Sequence, residues 1–251
     1  MTISWGFRRK LIYSSVILTI ALLLITFVWI EFFAATPTCF DGVQNGSEVG
    51  VDCGGSCALV CVDVARDPVV LWARAFPTNG NVYTALAYVQ NNNGETSARQ
   101  VPYIFQFYDV DNKLVSEKSG VMDIPPVQTI PVMETNIVVG DRKIARTLFS
   151  FSGTPVWQRV VHGSVPQIRV IKQTLAPGAS RLDATVQNDS QQDLQHMTIF
   201  AVLFDSEGVA RAASQSIVPL LMHTSTQNVV FTWPQGIPDV VRAEISILPS
   251  F

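Results

Sequence analysis

Cys39, Cys53, Cys57 and Cys61 stand within 23 residues, and no cysteine occurs in the 190 residues that follow. Thiols clustered in this way serve one local device and not the chain as a whole. In an oxidising compartment their default chemistry is two disulfides, and three connectivities are open. The spacing of four along Cys53, Cys57 and Cys61 raises zinc as an alternative. Zinc, however, favours paired C-x₂₋₄-C knuckles of deprotonated thiolates, and here the fourth cysteine lies 14 residues upstream. Oxygen ligands are interleaved with the sulfurs: Asp41, Asn45, Glu48 and Asp52, with Gly42, Gly46 and Gly50 between them. Calcium takes about 6–8 oxygens on a turn-rich backbone, so these four residues are candidate calcium ligands. Their spacing is not that of an EF-hand loop, and turn chemistry on a solvated surface is the plainer reading. No other cofactor is indicated.

The rest of the chain offers little to a catalyst. Nucleophilic catalysis needs a base within hydrogen-bond reach of a nucleophile. The three histidines are His162, His196 and His223; His196 follows Asp193 by three residues, and no G-x-S-x-G surrounds any serine. Neither H-E-x-x-H, a Walker loop nor a dinucleotide fingerprint occurs. Asp109 with Asp111, and Asp205 with Glu207, form recurring acidic pairs that suit acid–base work or calcium. An Asp at a strand end before Asn or Gly is equally ordinary turn chemistry. Arg142, Lys143 and Arg146 recur only in part, as Arg242, and read as a solvated loop. No catalytic residue is assigned, and the expectation is a protein that is not an enzyme.

The elements that position these residues begin with an anchor. Leu11 to Ile30 is a run of 20 residues without formal charge, about 30 Å as a helix, the thickness of a bilayer's hydrocarbon core. Trp5 and Phe7 precede it and Trp29, Phe32 and Phe33 close it as interfacial aromatics, and Arg8, Arg9 and Lys10 lie on one side only. The positive-inside rule therefore puts residues 1–10 in the cytoplasm, residues 11–33 across the bilayer, and the remainder outside in the cell envelope. A cleaved signal peptide is the competing reading, with Ala34-Ala35 open to a peptidase. Net charge is −3, and removing the basic flank makes the rest more acidic, which excludes a nucleic-acid partner.

After residue 62 the chain reads as all-β and repeats itself. Ala87–Asn91 matches Ala184–Asn188, Ile104–Asp109 aligns with Phe200–Asp205, and Ile144–Arg146 aligns with Val241–Ala243. Leu182, Ala184 and Val186 alternate with polar residues at the period of a half-buried strand. Val101–Tyr108 and Met197–Phe204 are apolar on both faces and read as central strands. Turn signals at Pro77–Gly80, Asn91–Gly94, Pro177-Gly178 and Ser206–Gly208 separate them. Two copies of this size predict two tandem immunoglobulin-like β-sandwiches, at 66–152 and 164–251, joined across 150–166 and preceded by a cysteine neck at 36–62. Trp72, Trp157 and Trp233 are expected to pack in or against the sheets.

The neck, CFDGVQNGSEVGVDCGGSCALVC, resembles the C-x-D-G-x-x-N-x-x-E-x-G-x-D-C-G-G-x-C motif of bacterial cell-surface and secreted proteins. The positions that carry the likeness are Cys39, Asp41, Gly42, Asn45, Glu48, Gly50, Asp52, Cys53, Gly54, Gly55, Cys57 and Cys61. The middle of each repeat, a Val-x-Asn followed by a strand ending in Tyr/Phe-Asp, is similar to the FxLYD-type and fibronectin-like modules of bacterial envelope proteins. The resemblance implies a surface location and no reaction. Two functions are expected from this layout. One is a structural or interaction subunit of a bacterial envelope assembly, with other envelope proteins as partners. The other is a surface adhesin or ligand-binding module for protein or glycan. An anchored hydrolase is a third reading.

Overall fold

A computed structural model describes residues 5–33, 36–126, 128–160 and 166–248 of the chain. The chain forms two compact units, residues 1–57 and 58–251. The first opens with helix α1, Trp5–Phe33, which starts six residues before the uncharged run and takes in Arg8, Arg9 and Lys10. At 1.5 Å per residue its 29 residues span about 43 Å, enough for a hydrocarbon core and both headgroup layers. From Trp5 to Glu31 its best window has a mean hydropathy of 2.5, and no residue of that window is buried by protein. The helix is thus long and apolar enough on every side to cross a membrane. Ser15, Thr19 and Thr26 turn their hydroxyls back on carbonyls within the helix, so none competes for an outside partner.

The second unit is all-β. Its strands are β1 Val69–Asn79, β2 Val82–Gln90, β3 Thr96–Tyr108, β4 Leu114–Ile124, β5 Thr129–Val138, β6 Arg146–Phe151 and β7 Trp157–Arg159. They continue as β8 Ile168–Leu175, β9 Arg181–Asn188, β10 Leu194–Asp205, β11 Ala210–Leu221, β12 Thr226–Thr232 and β13 Val240–Leu248. Every pairing is antiparallel. In the first half one sheet has the order β1-β2-β5 and the other β4-β3-β6, with β7 continuing along β3 beyond β6. The second half repeats that order as β12-β9-β8 and β11-β10-β13. β3 and β10 are central, as their apolar sequences require.

Two cores lie inside these halves. Ala85, Ala87 and Val89 of β2 meet Val101, Phe105 and Phe107 of β3 in one; Leu182, Ala184 and Val186 of β9 meet Ile199, Ala201 and Leu203 of β10 in the other. A third core joins the halves. Phe76, Leu86 and Tyr88 on the outer face of β1-β2-β5 pack against Val202, Phe204, Ala210 and Ala213 on the outer face of β11-β10-β13. The four sheets are thus layered one on another, and the middle two are covered on both faces. Trp72 stacks on Tyr88 at 4.8 Å between centroids, Arg242 lies 4.4 Å over the Phe204 ring, and Arg74 donates to the Ala210 carbonyl at 3.0 Å.

This layering refines the strand reading. Met197–Phe204 is buried on both faces apart from Thr198, but β3 is buried on one face and half-exposed on the other. The difference is positional, since β10 lies in a middle layer and β3 in an outer one. β2, which carries no such label in its sequence, is buried from Tyr83 to Val89 without a break. Nor do residues 150–166 behave as a simple joint. β6 runs to Phe151, and Trp157 sits in the first core while β7 pairs with β3. Backbone bonds from Val60 to Trp157 and from Arg159 to Ala58 bring the last residues of the cysteine segment onto this edge.

Candidate functional site: the cysteine neck and the cleft between the sandwiches

In the neck, Cys39 is bonded to Cys57, with the Cα atoms 5.6 Å apart. Cys53 and Cys61 are likewise in disulfide linkage and no cysteine is free, so of the three open connectivities this chain has 39–57 with 53–61. Cys39, Cys57 and a Glu48 oxygen lie within 4.8 Å of one another, but both sulfurs are already spent on each other. They therefore offer no thiolate to zinc.

The four candidate calcium ligands do come together, and their oxygens face the chain's own donors. Asp52 accepts from the backbone N–H of Asp41 at 3.0 Å and of Gly42 at 3.1 Å. Asp41 accepts from the N–H of Thr38 and Val43 and from the Asn45 amide, each at 3.0 Å. Glu48 accepts from the N–H of Asn45 and Asp52. The Asn45 side chain, then Thr38 and Val43, hold the Asp41 carboxyl below its ordinary value. A cation at these oxygens would have to compete with each of those donors. Asn45 Oδ1, enclosed and without a partner among the described residues, is the exception. Gly55 explains part of the motif, because a Cβ there would stand 1.8 Å from the Ser47 carbonyl oxygen and φ is +57°.

The recurring Asn and Asp of the repeat prove to be wiring. Asn188, 0% exposed, donates to the carbonyls of Gln192, Leu221 and Met222 and accepts from Ser190 N–H. Asn91, 1% exposed, does the same with Thr96, Pro125 and Asn93. Asp109 accepts from Asp111 and Lys113 N–H and meets Arg142 at 2.9 Å; Asp205 accepts from Glu207 and Val209. The Lys113 bond, foremost, keeps Asp109 below its ordinary value. Asp109 and Asp205 thus each close a hairpin, to which Asp111 and Glu207 contribute their backbone N–H.

His162 lies outside the described residues. His196 lies in β10 with φ 51°, at a point where the register with β11 stays in step. Asp193 pairs instead with His223, whose Nδ1 is 2.7 Å and whose N–H is 2.8 Å from the carboxylate. These bonds hold Asp193 below its ordinary value. Among the described residues no hydroxyl is hydrogen-bonded to either imidazole.

What sequence reasoning missed is a cleft of about 320 Å³ where the halves meet. Phe76, Thr84 and Met133 line it from the first half, and Ala213, Gln215, Trp233 and Gln235 from the second. No described residue lining it is charged. Trp233 is 8% exposed, and its indole N–H is enclosed with no acceptor among the described residues. No local pattern signals this cleft, because its walls come from segments that only the sheet-on-sheet docking brings together.

No family model matches the chain, and no curated protein sequence matches it. Among solved structures, the chain is similar to the crystal structure of red sea bream transglutaminase, at 12% identity and a TM-score of 0.25. That likeness covers 72% of this chain and 29% of the other, and at such a score it carries no argument about function.

Proposed function

We propose that the chain is a membrane-anchored structural or interaction subunit of a bacterial envelope assembly, held by α1 and presenting two immunoglobulin-like modules outside the cytoplasm. The observation that carries this reading is the fully oxidised neck immediately after an apolar helix of spanning length. Thiols of a cytosolic segment would be kept reduced, and disulfides persist in envelope and extracellular compartments. The basic flank at Arg8, Arg9 and Lys10 supports an inside N-terminus. The repeated sheet order supports tandem modules, and the neck's resemblance to surface-protein motifs supports a bacterial envelope.

Labelling intact cells with a membrane-impermeant maleimide tests the topology. Labelling only after reduction is expected. Labelling without reduction counts against the oxidised neck, and labelling only in permeabilised cells sinks the orientation. Crosslinking the full chain in membranes and identifying what it captures then separates the assembly reading, which expects other envelope subunits, from an adhesin, which expects soluble or surface ligands.

A further inference from the structure

We propose that the cleft between the two sandwiches binds an uncharged saccharide. Its volume of about 320 Å³ falls at the small end of the roughly 300–1,000 Å³ usual for ligand clefts, which suits one or two sugar rings. The absence of any charged lining residue disfavours ions and acidic ligands, which would enter without a counter-charge. An alkyl chain is disfavoured as well, because it would strip water from Thr84, Gln215 and Gln235 and return no hydrogen bond.

A sugar matches both halves of the lining. Its C–H faces suit Phe76 and Ala213, and its hydroxyls suit the hydroxyl and amide side chains. One group at the wall lacks a protein partner. Thr84 is 7% exposed, with no side-chain hydrogen bond among the described residues, whereas the Trp233 indole N–H is enclosed by the protein and is not open to the cleft. A nearly buried hydroxyl without a protein partner is one that a ligand oxygen would satisfy. The site is incomplete in either sandwich alone, since Thr84 and Trp233 belong to different halves. The inference does not depend on the orientation of α1 or on any envelope partner.

The test is calorimetric titration of the full chain in lipid nanodiscs, which avoids glycoside detergents that would occupy the cleft. The probes are maltose, cellobiose and N,N′-diacetylchitobiose, with a glucuronate-containing disaccharide as the charged control. At least one neutral disaccharide is expected to bind, and the charged one at least tenfold more weakly. Thr84→Val, which keeps shape and loses the hydroxyl, is expected to weaken binding about fivefold with an unchanged melting temperature. Ala213→Leu, which fills the cleft, is expected to abolish it. No binding of any neutral probe at millimolar concentration overturns the proposal. So does binding that both variants leave intact.

Discussion

Asn188 shows how one side chain can hold a loop together. Its amide reaches three carbonyls across Gln192 and Leu221-Met222 while its oxygen holds Ser190, and Asn188 itself is 0% exposed. It also fits a glycosylation pattern, Asn188-Asp189-Ser190, which its complete burial rules out as an acceptor in the folded chain. Asn188→Ala would leave those groups buried without partners, and is expected to lower stability by about 2–4 kcal/mol, read as a shift in the denaturant midpoint. Asp109 makes a pH-dependent counterpart. Its folded-state value lies below the ordinary 3.8 because Lys113 and Asp111 N–H and the Arg142 guanidinium favour the carboxylate. The stabilisation is therefore complete above the unfolded-state value and lost as pH falls through the folded one. Asp109→Asn, which keeps the acceptor but does not titrate, is expected to flatten the fall in melting temperature between pH 5 and pH 2. An acid slope equal to that of the parent chain would refute this assignment.

At the scale of elements, the neck depends on a single missing atom group. Gly55 lets the Ser47 carbonyl approach where a methyl would collide with it, and this contact lies inside the loop that Cys39–Cys57 closes. Gly55→Ala is expected to leave free thiols after purification and a protease-sensitive segment at 36–57, with the melting of the β unit unchanged. Full oxidation with parental protease resistance would show that the loop can give. In the chain-entropy picture the Cys39–Cys57 bridge, at a separation of 18, is itself worth roughly 3 kcal/mol to this segment.

Much at this scale could be read from the chain. The alternation at Leu182, Ala184 and Val186 marks β9, and the matched Asn and Asp positions mark equivalent strand ends, because local patterns record local geometry. What could not be read were relations between distant residues. Disulfide pairing was one, since three connectivities share the same spacing. The second buried face of β2 was another, since Leu86 and Tyr88 look no different in sequence from residues that face a neighbouring strand. The pairing of Asp193 with His223, 30 residues away, and not with nearby His196, is of the same kind.

For the molecule as a whole, the docking of the two middle sheets governs cooperativity. Leu86 and Val202 are fully enclosed by residues of the opposite half, and burial of such side chains contributes about 1.5–3 kcal/mol each. Residues 58–251 are therefore expected to unfold in one calorimetric transition. Leu86→Asp, which puts an unpaired charge into that layer, is expected to split it into two. A single transition in both proteins would mean that the halves are coupled by some other route. Phe204→Ala, which also removes the ring under Arg242, is expected to cost about 3–5 kcal/mol.

The same docked layer also has a consequence during synthesis. Once Arg159 has been made, the first half holds all its strands, yet Phe76, Leu86 and Tyr88 stay uncovered until β11 is complete at Leu221. At about 5–20 residues per second that interval lasts on the order of seconds, long compared with the time in which an apolar face finds a wrong partner. The nascent chain thus passes through a sticky half-built stage, in which it needs either a holding chaperone or prompt arrival of its own second half.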